Sequence, residues 1–494
     1  MDGSRLGRIL RSWLLQSVTA DSRQFRESII ESDCAGQWSG RLSRRGRHAR
    51  PLSNGRRRAP RYDARGADVT EQVRLQPLSI RARFALLLGI FAVAVGYGIV
   101  MPILPFVIER LAMTADATTL SRHTGFLAGV YALAIFLFAP AWGRVSDQRG
   151  RRPVIVTGLV GFAITLGIFV LADSLPLLYV GRFLAGLFAA AVAPAAYALV
   201  CDHAPSDEWR AHRFALINVA GAAGSFAGPT VGGMILQARF AEAIAGRFTS
   251  PVVAAVSVAL AAALAIQGLV PATAQRKDSE MAFAASAPGD RELVLRLCGL
   301  MFVTTAAVSA FDVGLLLRGK QVLRMDAWQL GAMFAECGLV MLFVQAIVFS
   351  PLIKPQTTRW FLTPGLIALT AGLIAIPLAS SYVLTSVGIA VVAAGAGLVY
   401  PIVTYWVPLG SNGTRGADLG RVTAAASLGQ ALGSTAGGLL FDALILPNAV
   451  FSSAALMALA GAGASIGLPR LLMPRDRIVR SNIRAGSENQ KDGA

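Results

Sequence analysis

Three ionisable side chains stand alone inside long apolar runs. Arg182 lies in Gly181-Arg182-Phe183-Leu184-Ala185-Gly186, Asp312 in Ala310-Phe311-Asp312-Val313-Gly314 and Glu336 in Met333-Phe334-Ala335-Glu336-Cys337-Gly338. An ion in apolar surroundings is costly, so each must pair, be held by backbone carbonyls, or exchange a proton as its surroundings change. Glu336, near the middle of its run, and Asp312, in the outer half of its own, are candidate proton carriers. For both, the competing reading is a polar contact that stabilises helix packing. Arg318 and Lys320 follow Asp312 closely enough to form an ion pair with it. Arg182 is open to two readings, a part in proton transfer or a structural arginine bonded to carbonyls. Tyr97, Tyr131, Tyr197, Gln345, Tyr400 and Tyr405 are polar or aromatic positions able to contact a small molecule, although packing alone explains such residues equally well.

The elements that position these groups follow from composition. The chain has 494 residues, 54% hydrophobic and 15% charged, with a mean hydropathy of +0.56; a soluble domain carries about 25% charged residues. Twelve apolar runs recur, at about 84–107, 122–142, 153–173, 176–201, 214–237, 251–271, 292–317, 327–350, 360–379, 382–407, 421–446 and 449–469. Each can cross a hydrocarbon layer of roughly 30 Å. With no water at that depth, each must satisfy its own backbone hydrogen bonds, so each is expected to be a helix. The polar stretch 272–291 divides them six and six. The expected organisation is a basic, disordered extension over 1–80, a six-helix bundle over 84–271, a linker over 272–291, a second bundle over 292–470 and a tail over 471–494.

The formal charge of +18 is distributed as a membrane topology requires. If both termini are cytoplasmic, the inner loops hold Arg144, Arg149, Arg151, Arg152, Arg210 and Arg213 among others, and outnumber the basic residues of the outer loops. This argues against nucleic acid as a partner. Residues 1–80 hold 16 arginines, no lysine and eight acids. Leu6, Ile9, Leu10, Trp13, Leu14 and Val18 there have helical spacing and could lie on a membrane surface; a non-essential or mis-started extension is the plainer reading. Cys34, Cys201, Cys298 and Cys337 show no paired or metal-ligand spacing, and the four histidines form no cluster. No nucleophile–base set or phosphate loop appears, so neither enzyme chemistry nor a cofactor is expected.

Three glycine-rich patterns carry the rest. Gly96-Tyr97-Gly98-Ile99-Val100-Met101-Pro102-Ile103-Leu104-Pro105 lies in the first run. Between the second and third runs stands Gly143-Arg144-Val145-Ser146-Asp147-Gln148-Arg149-Gly150-Arg151-Arg152, expected as a loop at a membrane face. The fifth run contains Gly224-Ser225-Phe226-Ala227-Gly228-Pro229-Thr230-Val231-Gly232-Gly233. There G-x-x-x-G offers a flat face to a neighbouring helix and Gly228-Pro229 a kink. Arg213 and Gly221, and Arg421 and Gly429, share a spacing of eight at the starts of runs five and eleven, as two parallel repeats would.

In order and spacing these patterns resemble the major facilitator superfamily, and within it the twelve-helix drug:proton antiporters, tetracycline exporters included. The resemblance implies an all-α membrane protein of two six-helix bundles. It implies a small-molecule substrate exchanged for protons across a bacterial inner membrane, by a monomer with both termini cytoplasmic. It also implies that Asp147 acts as a latch, pairing with basic groups and capping a helix of the other bundle. The chain departs from the antiporters where the first run has Val93 in place of an acid, and where the second-half loop Ser350–Arg359 is degenerate. Proton coupling is therefore expected in the second half. The rival readings are a proton-coupled transporter of a small metabolite and, more remotely, a non-transporting receptor or scaffold.

Overall fold

A computed structural model describes residues 78–112, 116–205, 207–237, 249–272, 288–348, 353, 355–379, 381–410, 415–441 and 448–472. Among them are twelve principal helices: α1 (Ile80–Ala112), α2 (Ala117–Arg149), α3 (Arg151–Leu171), α4 in two segments (Leu175–Ala189 and Val192–Asp202), α5 (Asp207–Gln237) and α6 (Thr249–Leu269), then α7 (Pro288–Leu317), α8 (Ala327–Val348), α9 (Leu362–Leu378), α10 (Tyr382–Gly410), α11 (Arg415–Phe441) and α12 (Ala449–Ser465). The first ten are long and apolar enough to cross a membrane. α11 is diluted by Gly, Ser and Thr, and α12 has 17 residues. The expected extension over 1–77, most of the linker (273–287) and the tail from 473 lie outside the described residues.

The packing repeats with an offset of six. α1 packs on α5 and α6, α3 on α4 and α6, and α2 on α4; likewise α7 packs on α11 and α12, α9 on α10 and α12, and α8 on α10. Two pairs chiefly join the sixes, α2 with α11 and α5 with α8. These are equivalent under the same offset, so the bundles meet along two matched seams. Alternating chain direction places the α2–α3 corner on one face, called here the basic face, with the α1–α2 and α7–α8 connections on the far face.

Helix ends explain where the sequence expectation needs correcting. The stretch expected as a loop is almost wholly helical: α2 runs to Arg149, α3 starts at Arg151, and Gly150 alone makes the corner. Its φ of 91° and ψ of 158° lie in a region open essentially to glycine. Gly150→Ala is therefore expected to cost about 1–3 kcal/mol, seen as a lower melting temperature of the purified protein. At the other end of α2, Asp116 caps the helix by accepting from Thr119 N at 3.0 Å and Thr119 Oγ1 at 2.7 Å. Those bonds to the ionised form hold its carboxyl below the ordinary value.

Candidate functional site

The centre is built on α1, α2 and α4 of the first bundle. Arg182 is 3% exposed, and its guanidinium carbon lies 4.7 Å from the Tyr131 ring centroid and 5.8 Å from that of Tyr97. The two rings are 5.3 Å apart and tilted by 33°. Arg182 Nε donates to Leu127 O at 3.4 Å, and Nη2 lies 3.9 Å from Met101 Sδ. No carboxylate pairs with Arg182 among the described residues. Two ring faces and a carbonyl stand in for a counter-ion, a desolvated cation–π arrangement of about 2 kcal/mol. Gly186 makes the site possible, since a Cβ there would lie 2.1 Å from Tyr131 O.

The second bundle meets this cluster through α7 and α11. Gln430 of α11 and Asp312 of α7 are polar neighbours of Tyr97. Asp312 also acts on Cys337 of α8. The basic residues expected to pair with Asp312 are engaged elsewhere. Lys320 Nζ is 2.8 Å from Glu109 Oε2, and Arg318 donates to Ala379 O at 3.3 Å and Asn448 Oδ1 at 3.5 Å. Both lie in a π-helical turn, Arg318–Val322, that follows α7 at the far face. Glu336 stands apart from the centre, near Ser386 of α10 and with its side chain partly exposed.

A second polar group crosses the bundles nearer the basic face. Tyr197 donates to Asn218 Oδ1 at 3.1 Å, and Asn218 Nδ2 donates to Thr404 Oγ1 of α10 at 3.0 Å. Tyr400 lies within electrostatic reach of Tyr197. Tyr405 sits behind this group against Trp406, with ring centroids 5.6 Å apart. Gln345 is 3% exposed, and its carbonyl oxygen has no hydrogen-bond partner among the described residues. Asn218, Thr404 and Gln430 escaped the sequence reading. Each is a lone amide or hydroxyl in an apolar run, a weaker signal than a charge.

The glycine patterns hold the seams. A Cβ on Gly228 would meet Val95 O at 2.6 Å, and one on Gly224 Phe91 O at 2.6 Å, so both bring α5 onto α1 inside the first bundle. Pro229 packs on Gly98 of α1. Gly233 instead faces Trp328 of α8, across the bundles, while Gly232 faces Ile99. At the α2–α3 corner, Asp147 pairs with Arg151, whose Nε also reaches Asp202 Oδ2 at 3.0 Å. Arg152 donates to Val270 O at 3.2 Å. Gly143 is open, with nothing near a Cβ built there. Among the described residues the corner thus ties α2, α3 and the ends of α4 and α6 together, all within one bundle.

The far face is closed between bundles. Besides Lys320 with Glu109, Gln321 Nε2 donates to Ser121 Oγ at 2.9 Å and Ala117 O at 3.1 Å. A Cβ on Gly125 of α2 would lie 2.7 Å from the Cα of Gly438 of α11.

Comparison with known proteins places this architecture. Over 144 residues the chain is 39% identical to the tetracycline resistance protein, class C, of Escherichia coli, covering 29% of this chain and 35% of that protein. It is 27% identical over 154 residues to the quinolone resistance protein NorA of Staphylococcus aureus (strain N315), covering 31% and 38%. The matches span little more than a third of those relatives' lengths. The fold resembles the crystal structure of the human organic anion transporter MFSD10 (TETRAN), with a TM-score of 0.63 and 21% identity, over 81% of this chain and 100% of that one. The model of the Major Facilitator Superfamily matches residues 86–414, from α1 to the α10–α11 connection. With two six-helix bundles joined along matched seams, the chain belongs to the Major Facilitator Superfamily.

Proposed function

We propose that the protein is a secondary transporter that exports small lipophilic molecules in exchange for protons by alternating access. The observation that carries it is the junction at the centre of the seam, where Asp312 of the second bundle is a neighbour of Tyr97, whose ring stands by Tyr131 and Arg182 in the first. Rocking one bundle against the other changes the surroundings of that carboxyl, which is what coupling to a proton requires. The named resistance proteins support export as the direction. The excess of arginine on the basic face supports a cytoplasmic position for it. Each copy carries both bundles and acts as a monomer. The interior surfaces are largely apolar, suiting lipophilic substrates with few polar contacts.

The test uses everted membrane vesicles loaded by an imposed gradient, acidic inside, with a fluorescent lipophilic cation such as ethidium outside. Accumulation that starts with the gradient and collapses with a protonophore is expected. A flux indifferent to the gradient removes proton coupling, and movement only in the opposite direction turns the protein into an importer.

A further inference from the structure

We propose that α4 is hinged between the centre and the basic face and that Trp142 of α2 is the pin of the hinge. The proposal concerns how the first bundle moves, whatever the protein carries and in whichever direction. Two backbone bonds make the break at Ala190–Ala191. Ala190 N donates to Gly186 O at 3.0 Å, as in an α-helix, but Ala191 N turns to Phe188 O at 3.1 Å. Leu187 O thus loses the donor four residues ahead of it, and Pro194 has no N–H to offer Ala190 O. A freed carbonyl in an apolar bundle needs a donor from elsewhere. Leu187 O has one in the half-buried Trp142, whose Nε1 donates to it at 2.8 Å. Glycines of α3 leave room for the break: a Cβ on Gly158 would lie 2.8 Å from Ala191 Cβ, and one on Gly161 2.2 Å from the Phe188 ring.

The break falls between two attachments. The outer segment, Leu175–Ala189, is held inside the first bundle by Arg182 on the Tyr131 ring and Leu127 O, and by the close approach of Gly186 to Tyr131 O. The inner segment, Val192–Asp202, carries Tyr197, which starts the hydrogen-bonded chain through Asn218 to Thr404 of the second bundle. Its last residue, Asp202, pairs with Arg151, a contact between side chains that can follow a small movement. For the segments to bend independently only one bond has to be exchanged: Leu187 O passes from the indole of Trp142 to the N–H of Ala191. The carbonyl stays bonded in both arrangements, so neither leaves it orphaned in hydrocarbon. Two donors competing for one acceptor make a two-state element. The inner half of α4 can then follow the basic-face chain while Arg182 stays in place.

Pulsed electron paramagnetic resonance on the full chain in lipid nanodiscs tests the hinge, with Cys34, Cys201, Cys298 and Cys337 replaced by serine. Spin labels at His203, at the inner end of α4, and at Leu264 of α6 report a distance inside one bundle, which a rigid bundle keeps constant. Labels at Val180 of the outer segment and Leu264, 51% and 74% exposed, give the control distance. Trp142→Phe keeps an aromatic ring but removes the donor. Pro194→Ala gives Ala190 O a partner in the straight helix, and so favours the same arrangement by an unrelated route. Each is expected to raise the population of a second His203–Leu264 distance by about two- to tenfold, the worth of one neutral hydrogen bond, and to leave the Val180–Leu264 distance unchanged. One unaltered His203–Leu264 distance in the wild type and both variants overturns the proposal. So does a shift of both distances together, or a shift in Trp142→Phe that Pro194→Ala does not reproduce. Should Trp142→Phe fail to fold, Pro194→Ala alone decides by the same two distances.

Discussion

Gly125→Val is expected to hold the far face open and to cut transport by roughly ten- to a hundredfold in a protein that still folds. The seam between α2 and α11 is closest where Gly125 meets Gly438, and even one added carbon would lie 2.7 Å from backbone. Backbone cannot rotate aside as a side chain can. Overpacking of this kind costs typically 1–3 kcal/mol, and a shift of that size in the balance between two states is about 5–150-fold. The cost falls on one state alone, because the contact forms between bundles and is released when the far face opens. A cysteine introduced at Thr435, beside Gly129 in the same seam, should then label faster from the far side. Gly186→Val makes the contrast. Its clash with Tyr131 O lies inside one bundle and persists in both states, so it should lower yield and melting temperature instead. Wild-type transport by Gly125→Val would show that the far face need not close this tightly.

The fold was legible in the sequence because the bilayer allows few solutions. Twelve runs had to become helices, and the polar stretch after residue 271 divided them six and six. Helix ends were less legible. Hydropathy follows the hydrocarbon, whereas hydrogen bonding continues past it, so Gly143–Arg149 remained helical although polar. Only the φ of Gly150 stopped it, and no composition rule separates that glycine from Gly143. The break in α4 at Ala190–Ala191 likewise has no signature beyond Pro194 downstream.

The site was legible residue by residue but not as a constellation. Arg182, Asp312 and Glu336 announced themselves as charges in apolar sequence. Which of them share a space depends on how bundles meet, and a chain with no pairing signal does not encode that locally. Position in the run pointed to Glu336 as the proton carrier. We propose Asp312 for that role instead, because Glu336 is partly exposed whereas Asp312 neighbours Tyr97 at the junction of the bundles. Lys320, eight residues on in sequence, lies in a π-helical turn and pairs with Glu109 instead, which apolar periodicity does not reveal.

This difference sets the largest expected effect. Asp312→Asn should abolish uphill transport driven by a pH gradient, by about a hundredfold or more, since an amide keeps the shape and polarity of the carboxyl but cannot exchange a proton. Downhill exchange of labelled for unlabelled substrate needs no net proton movement and should survive, which separates lost coupling from lost binding or folding. Glu336→Gln should behave in the opposite way and leave the gradient-driven flux in place, since that side chain lies away from the centre and is partly exposed. The two variants measured side by side in everted vesicles thus separate the two acids. If Asp312→Asn still accumulates substrate against its gradient, the proton is carried elsewhere. If Glu336→Gln alone uncouples the flux, the carrier is the acid of α8, and the Tyr97–Arg182 cluster serves to hold the first bundle together at the seam.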